Sequence, residues 1–342
     1  MKVIRGGIGS QKTASIGLVL GAGGVVGQAY QAGVLSALRR ETGWDPRNAA
    51  IIVGTSAGSV TGAALRVGVP ATDLAASLYG VPTSRRGGAI LRRILPPDVE
   101  PLPTPSVRTM LRPWNLPSPA LIARAVRRPL AFRPDVAAMT LLPRGTIDIS
   151  ERARGLDAHI GSRWPDGLRI CTVRRSDGAR VVFGRAGAPP ARLADAVLAS
   201  CAIPGYFRPV DIGGTEYVDG GVHSATNADV LRSEGLDVVV VISSMSAARG
   251  SANGADGWLR RSVHRRMERE VARLQEAGVV VISLEPGPRA RHAMGLRAMA
   301  EDRSPQVIEA AYEETCELIL DTPALASLGS PLAAASASAS TG

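Results

Sequence analysis

The sequence predicts an α/β fold in which helices cover both faces of a mostly parallel sheet. Short apolar runs typical of strands alternate with longer segments in which apolar residues have helical spacing. The run Val-Val-Val-Val-Ile at 238–242 is continuously apolar, as in a strand buried on both faces. Near the start of the chain a strand, a glycine-containing turn and a helix follow one another twice, which favours parallel strands with helical crossovers.

Each predicted element follows from the local spacing of apolar residues. Strand-like runs are found at 16–20, 51–54, 168–173, 180–183, 238–243 and 279–284. Segments with helical spacing are found at 25–40, 56–66, 193–200, 258–277 and 306–320. Because Ser176-Asp177-Gly178 is a turn signal, the third and fourth strands are predicted to form a hairpin.

One segment of the chain is both basic and rich in proline. In a chain of net charge +10 with 24 prolines, residues 81–135 hold ten arginines against three acidic residues, and 11 of the prolines. Proline at this density excludes a regular sheet, so we expect short helices joined by stiff turns, as an insertion or cap. Nucleic acid is not expected as a partner, because no binding motif or regular interleaving of aromatic residues accompanies the arginines.

This segment is either a solvated surface or a contact site for anionic lipid. Apolar side chains lie among its arginines, namely Leu95, Leu102, Met110, Leu111, Trp114, Leu116, Leu121, Ile122 and Leu130. Each cation near an anionic surface contributes about 1 kcal/mol to binding. The combination predicts peripheral contact of 81–135 with an anionic membrane surface, in which Arg124, Arg127 and Arg128 take part.

Neither a membrane span nor a cofactor is expected from the sequence. No apolar run reaches the roughly 18 residues of a transmembrane helix, and residues 1–10 lack the apolar core of a signal peptide. These features predict a cytoplasmic protein. Cys171, Cys201 and Cys316 lie far apart and lack metal-ligand spacing, so neither a disulfide framework nor a metal site is predicted.

A nucleophile motif follows the second predicted strand. Gly54-Thr55-Ser56-Ala57-Gly58 fits the pattern G-x-S-x-G and lies between a strand and a helix, where this pattern forms a sharp elbow. The flanking Gly54 and Gly58 keep side chains out of the turn, and the helix N-terminus stabilises negative charge near the serine. Ser56 is therefore predicted as a nucleophile, the alternative being an ordinary serine cap of a helix.

The glycine-rich turn after the first strand, GAGGVVG at 21–27, aims backbone N–H groups at a negative group. A dinucleotide site is disfavoured, because Val26 stands where the third glycine belongs and the second strand does not end in a carboxylate. A P-loop is disfavoured because no Gly-Lys-Ser/Thr follows. We predict instead that the N–H groups of Gly23, Gly24 and Val25 hold the oxyanion formed when a serine attacks an ester.

A candidate base lies in Tyr217-Val218-Asp219-Gly220-Gly221, where an aspartate enters a tight glycine turn after a short strand. Asp219 can accept the serine proton if burial or hydrogen bonding raises its pKa. Alone, Asp-Gly-Gly is a weak signal, because such turns are common. His223 leaves open a second mechanism, a Ser-His-Asp triad.

Together these motifs resemble the patatin-like phospholipase family. The loop GAGGVVG, the helix with Gln31-Ala32-Gly33-Val34-Leu35, the elbow GTSAGS and the distal VDGG have the family's order, and 199–207 and 219–229 agree further. The resemblance implies a three-layer α/β/α fold and hydrolysis of acyl esters by a Ser-Asp dyad without a catalytic histidine. Ser56 matches the nucleophile, Asp219 the base, and Gly23 and Gly24 the oxyanion loop. Val26 replaces the family's usual basic residue, and Ala22 a common glycine.

The resemblance also divides the chain. It predicts an N-terminal extension at 1–14, a patatin-like hydrolase domain at 15–325 that includes the cap 81–135, and a disordered tail rich in Ala and Ser at 326–342. The expected substrate is a lipid or another acyl ester. Two alternatives remain: a serine esterase or thioesterase acting on soluble acyl substrates, and a non-catalytic lipid-binding module.

Overall fold

The computed structural model describes residues 14–94, 113–129, 132–160, 163–247 and 256–329. Within these ranges one sheet contains the strands β1 (Ile16–Leu20), β2 (Ile51–Thr55), β3 (Leu168–Arg174), β4 (Ala179–Phe183), β5 (Val210–Ile212), β6 (Thr215–Asp219), β7 (Val238–Ile242) and β8 (Val280–Leu284). The helices are α1 (Gly24–Thr42), α2 (Ala57–Arg66), α3 (Ala71–Tyr79), α4 (Arg85–Ile94), α5 (Pro119–Arg127), α6 (Pro134–Leu141), α7 (Arg154–Ile160), α8 (Leu193–Cys201), α9 (Gly257–Gln275), α10 (Pro288–Met294), α11 (Ser304–Asp321) and α12 (Pro323–Ala326).

The sheet is mostly parallel. Strands β8, β7, β1, β2 and β3 lie side by side in this order and run parallel. The remaining strands pair antiparallel: β4 and β6 with β3, and β5 with β6. The predicted α/β fold with a mostly parallel central sheet is therefore confirmed.

Helices cover both faces because successive strand residues point to opposite sides. Leu18 and Leu20 belong to the larger apolar core, together with residues of α1, α2, α8 and α11. Val19, between them, belongs to a second core with Met267 and Leu274 of α9. The result is three layers, with the sheet in the middle.

Strands β2 and β6 meet end to end on one edge of β3. Two residues of β3 pair with both β2 and β4, so β2 and β4 lie on opposite edges of β3. Three further residues of β3 pair with both β4 and β6, which places β6 on the same edge as β2. The last residues of β2 and β6, Thr55 and Asp219, lie opposite consecutive residues of β3, Cys171 and Thr172.

The predicted elements agree with the observed ones to within about two residues, but some elements were missed. The sequence did not indicate α3, α7, α10, α12 or β5, which are short and depend on packing against the rest of the fold. In the segment 81–135, α4, α5 and the start of α6 are the expected short helices, whereas residues 95–112 and 130–131 lie outside the described part. In the described part of the chain, no helix has both the length and the apolar character to cross a bilayer.

The ends of the predicted domain are only partly described. Residues 1–13 and 330–342 lie outside the described ranges. Leu328, which falls in the predicted tail, is buried in the larger core at 4% exposure. The packed part of the chain therefore extends at least to this residue.

Candidate active site

Ser56 occupies a strained turn between β2 and α2. Its backbone has φ 52° and ψ −121°, in a region that residues with a side chain rarely adopt. Two hydrogen bonds join the turn to α8 and β3. The Ser56 N–H donates to Ser200 Oγ at 2.9 Å, and Ser200 Oγ donates to the Cys171 carbonyl at 2.7 Å. Ser56 thus stands at the carboxyl end of β2 and the N-terminus of α2, as the elbow motif predicts.

The two flanking glycines are required by close backbone contacts. A Cβ at Gly58 would lie 2.0 Å from the Leu20 carbonyl oxygen, at the end of β1. A Cβ at Gly54 would lie 2.6 Å from the Gly58 carbonyl oxygen. Because these neighbours are backbone atoms, no rotamer change can make room for a side chain.

Gly58→Ala is therefore expected to destabilise the protein by about 3 kcal/mol, the upper range for an overpacked site. The matched control is Gly62→Ala on the same helix, where the new Cβ would meet the Ile52 side chain at 3.0 Å and no backbone atom. There the gain in helix propensity offsets part of the strain. Chemical denaturation of both variants tests this, and equal free energies of unfolding would contradict the steric explanation.

Asp219 ends β6 and contacts Ser56. Its Oδ1 accepts a hydrogen bond from the Gly221 N–H at 2.7 Å, and the Ser56 side chain lies close enough to its carboxyl group to lower the pKa of Asp219. The side chain is 5% exposed. Burial raises the pKa of Asp219 to about 7, against the smaller lowering effects of the Gly221 N–H and the Ser56 side chain. A carboxylate with this pKa is suited to accept a proton near neutral pH.

Hydrogen bonds hold the glycine-rich loop against β7, the neighbour of β1 in the sheet, and against the segment that contains Ala225. Gly21 N–H donates to the Ile242 carbonyl at the end of β7 at 2.9 Å, and Ala22 N–H donates to the Ala225 carbonyl at 2.8 Å. From below, Gln31 Nε2 donates to the Gly21 carbonyl at 2.6 Å. The loop is therefore fixed on three sides without the basic residue that Val26 replaces.

The N-terminus of α1 presents unused backbone donors. Gly24 has φ +62° and a hypothetical Cβ only 2.6 Å from the Ala298 carbonyl oxygen, so glycine is needed at this position. Among the hydrogen bonds of the described residues, none has the N–H of Gly23, Gly24 or Val25 as its donor. Free N–H groups at the start of a 19-residue helix favour an anion.

Close contacts bring the three predicted segments together. Besides the proximity of Ser56 to Asp219, the elbow touches the end of β1 where Gly58 meets Leu20. The turn after Asp219 touches the glycine-rich loop, since a Cβ at Gly221 would lie 3.5 Å from Ala22 Cβ. The Ser56 hydroxyl, the Asp219 carboxylate and the backbone N–H groups at the start of α1 therefore lie close to one another.

His223 faces a different set of groups. Its Nδ1 lies 3.2 Å from Asn227 Oδ1, and its carbonyl accepts hydrogen bonds from Arg133 and Arg266. Burial, with Arg180 and Arg133, lowers the pKa of His223 to about 4. In the described part of the chain no hydrogen bond joins it to Ser56 or Asp219, so the geometry does not favour the triad.

Sequence inspection missed the roles of two buried amides. Asn227, with φ 53°, donates through Nδ2 to Thr55 Oγ1 at 3.1 Å and to the Gly220 carbonyl at 3.3 Å, so it links the two turns that carry Ser56 and Asp219. Gln31 holds the glycine-rich loop. A polar residue inside the apolar run of α1 was the available signal for Gln31.

The described residues offer no metal site, and no nearby cation accounts for the shifted pKa of Asp219. Across the described ranges, no group of three or more His, Cys, Asp or Glu side chains could hold a metal ion. The pKa of Asp219 is raised by burial and lowered by the Gly221 N–H and the Ser56 side chain, and no cation of the described residues contributes to this shift. The arrangement can remove a proton from a serine hydroxyl and stabilise the oxyanion that forms when the serine oxygen attacks an ester carbonyl.

Comparison with known proteins identifies the family. A sequence model of the family described as patatin-like phospholipase matches residues 18–232, more than half of the chain. No curated protein sequence is significantly similar. Similar solved structures include VipD from Legionella pneumophila, at 12% identity and a TM-score of 0.42 over 90% of this chain and 67% of VipD. Another is the type III effector protein ExoU, at 15% identity and a TM-score of 0.34 over 90% of this chain and 53% of ExoU.

Proposed function

Because the chain belongs to the patatin-like phospholipase family, we propose that it hydrolyses acyl esters of lipids through an acyl-enzyme on Ser56, with Asp219 as the base. The observation that carries this proposal is the proximity of the Ser56 side chain to the buried Asp219 carboxyl group, whose pKa it lowers. The strained elbow supports it by fixing the position of the serine. The free N–H groups of Gly23, Gly24 and Val25 support it as an oxyanion hole.

In the proposed first step, Ser56 Oγ attacks the ester carbonyl carbon while its proton moves to Asp219. The carbonyl oxygen takes the negative charge and is stabilised by the glycine-loop N–H groups. The bond to the leaving alcohol then breaks, and Asp219 returns the proton to the alcohol oxygen. In the second step water attacks the acyl-enzyme, gives its proton to Asp219, and the carboxylic acid leaves as Ser56 regains its hydrogen.

A fluorophosphonate probe tests the proposal directly, because an activated serine displaces its fluoride and is phosphonylated. We expect the intact mass to rise by one phosphonyl group, located on the peptide that contains Ser56. An absence of labelling would favour the non-catalytic lipid-binding module. Hydrolysis of soluble esters or thioesters but not of phospholipid vesicles would favour the esterase alternative.

We propose that the cap helix α5 contacts the membrane. Its outer surface, with the residues just before it, exposes Trp114, Leu116, Ile122 and Val126. Arg127 and Arg128 are exposed and form no ion pair with another described residue. Leu121 instead points into the protein, and Leu95, Leu102, Met110, Leu111 and Leu130 lie outside the described residues.

This α5 surface belongs to a helix that packs on the turn after β3. Ser118, at the start of α5, donates a hydrogen bond to the carbonyl of Ser176 in the turn after β3. Arg124 lies 3.6 Å from Asp177 of the same turn, so its charge is partly neutralised. The α5 surface therefore combines apolar groups with two cations, Arg127 and Arg128, that form no ion pair with another described residue.

The double variant Arg127→Gln and Arg128→Gln is expected to bind anionic vesicles more weakly, by up to about thirtyfold at low salt, since each cation contributes about 1 kcal/mol. Sedimentation with vesicles of increasing anionic content measures this, and salt should reduce the difference. Arg39→Gln with Arg40→Gln removes the same charge at the far end of α1 and serves as control. Binding that is independent of lipid charge and salt would leave α5 as a solvated cap.

We also propose that the hydrolase domain predicted at 15–325 is a single unit that extends at least to Leu328, with 81–135 as a cap beside the candidate active site. Contacts that support this link the cap helices to the turn after β3 and to His223.

A further inference from the structure

An apolar cavity of about 100 Å³ lies beside the candidate site, between helices of one face of the sheet. Its wall includes apolar side chains of α2, α3, α7, α8 and the segment before α7, among them Val60, Ala64, Leu74, Ile149, Leu156 and Val197. Gln28 of α1 and Arg152 also line it. An apolar cavity of this kind favours an apolar ligand over water.

The cavity begins one helical turn from the proposed reaction centre. Val60 follows Ser56 by four residues on α2, and Gln28 follows Gly24 by four residues on α1, so both lie one turn below the proposed nucleophile and oxyanion donors. The two helices that begin at the site therefore form part of the cavity wall.

A further wall residue contacts the elbow. Cys201 Sγ lies 3.8 Å from Ser59 Oγ, and Ser59 Oγ donates to the Ser56 carbonyl at 2.6 Å. Burial and the nearby Asp219 charge also raise the pKa of the Cys201 thiol to about 12, so this wall residue is a neutral thiol that lies close to Asp219. Through Ser59, Cys201 therefore joins the cavity wall to the backbone of the elbow that carries Ser56.

We propose that this cavity binds the acyl chain of the ester, starting with the carbons next to the carbonyl, and that its depth determines which chain lengths are hydrolysed. This inference rests on the proposed function for the identity of the reaction, but not for the ability of the cavity to bind a chain. A cavity of about 150 Å³ can hold benzene, so about 100 Å³ accommodates about four carbon atoms without rearrangement. The preferred acyl groups are therefore of short to medium length.

Two substitutions change the cavity in opposite directions. Ala64→Leu replaces a methyl group of the wall with an isobutyl group and shortens the space, whereas Leu156→Ala enlarges it. Leu65→Ala, in the same core but not on the cavity wall, controls for general loss of stability. Esters of acetic acid are an internal control, because an acetyl group has no chain that could reach the cavity.

The first measurement is kcat/KM for p-nitrophenyl esters of acetic, butyric, octanoic and palmitic acid. Each methylene that enters the cavity is worth about fourfold. In Ala64→Leu we expect the octanoate-to-acetate ratio to fall at least about tenfold. In Leu156→Ala the ratio of longer to shorter chains should rise, while Leu65→Ala leaves it unchanged.

The second measurement is binding of octanoic acid by calorimetry, which needs no catalysis. Wild type should bind it, and Ala64→Leu should bind it at least about tenfold more weakly. The inference is wrong if Ala64→Leu and Leu156→Ala each change acetate and octanoate hydrolysis by the same factor and leave octanoic acid binding unaltered. If wild type hydrolyses no ester but its octanoic acid binding responds to Ala64→Leu, the cavity assignment stands and the proposed catalysis fails.

Discussion

Ser56→Ala is expected to reduce ester hydrolysis by about four to six orders of magnitude, the effect of removing a nucleophile from a serine hydrolase. Alanine lacks the oxygen that forms the acyl-enzyme, while the backbone donors at the start of α1 remain in place. Fluorophosphonate labelling should disappear together with turnover. Steady-state kinetics on a soluble ester and intact mass after labelling measure the two effects.

The fold should tolerate this substitution. Ser56 already holds its unusual φ of 52° because of the surrounding backbone, and its N–H bond to Ser200 does not involve the side chain. Ser77→Ala on the exposed face of α3 is the matched control and should leave activity unchanged. Turnover near the wild-type level in a folded Ser56→Ala protein would eliminate the serine mechanism.

The sequence could predict the elements on which Ser56, Asp219 and the glycine-rich loop lie, because each depends on local chemistry. An apolar strand followed by flanking glycines predicts an elbow, and alternating strands and helices predict a parallel sheet. The structure adds the steric reason for Gly58, which depends on the Leu20 carbonyl of a neighbouring strand. Local patterns thus indicate that glycine is needed without indicating what it contacts.

Contacts between distant segments could not be predicted. Ser56 and Asp219 meet because β2 and β6 share one edge of β3, a pairing between strands that are far apart in the chain. Asn227 links the same two turns through a single amide, and its partners are backbone and side-chain atoms from both. No spacing rule connects such residues, because the pairing register is set by the whole sheet.

The charge pattern of the cap was also only partly predictable. Arg124, Arg127 and Arg128 are equivalent in the sequence, yet Arg124 lies beside Asp177 whereas the other two are exposed. Val126 is more exposed than Ile122, although both are apolar residues on one helix face. Which cations stay unpaired depends on the hairpin turn on which α5 packs.

Asp219→Asn is expected to lower turnover by several orders of magnitude, whereas His223→Ala should retain most activity. The amide keeps the size of the carboxyl group and can still accept the Gly221 N–H bond, but it cannot take the serine proton. His223 contacts Asn227 rather than Ser56 or Asp219. Kinetics of both variants rank the two residues, and a larger loss in His223→Ala would favour the histidine triad.

The pH dependence provides an independent test of Asp219. Its pKa is raised by burial from 3.8 to about 7, and only the carboxylate can act as base, so wild-type kcat/KM should rise with pH and level off above about 7. The free energy of unfolding should change in the opposite direction and fall as the pH rises. A raised pKa stabilises the folded state fully below the unfolded pKa, and this contribution is lost as pH rises through about 7.

Asp219→Asn removes this titration, so its free energy of unfolding should exceed that of wild type increasingly from about pH 4 to pH 7, by at most about 4 kcal/mol. The variant is thus expected to be nearly inactive yet more stable at pH 8. Urea denaturation of both proteins at several pH values measures the difference. A difference that does not vary with pH would show that Asp219 is ionised throughout, and the buried-base explanation of the kinetic profile would fail with it.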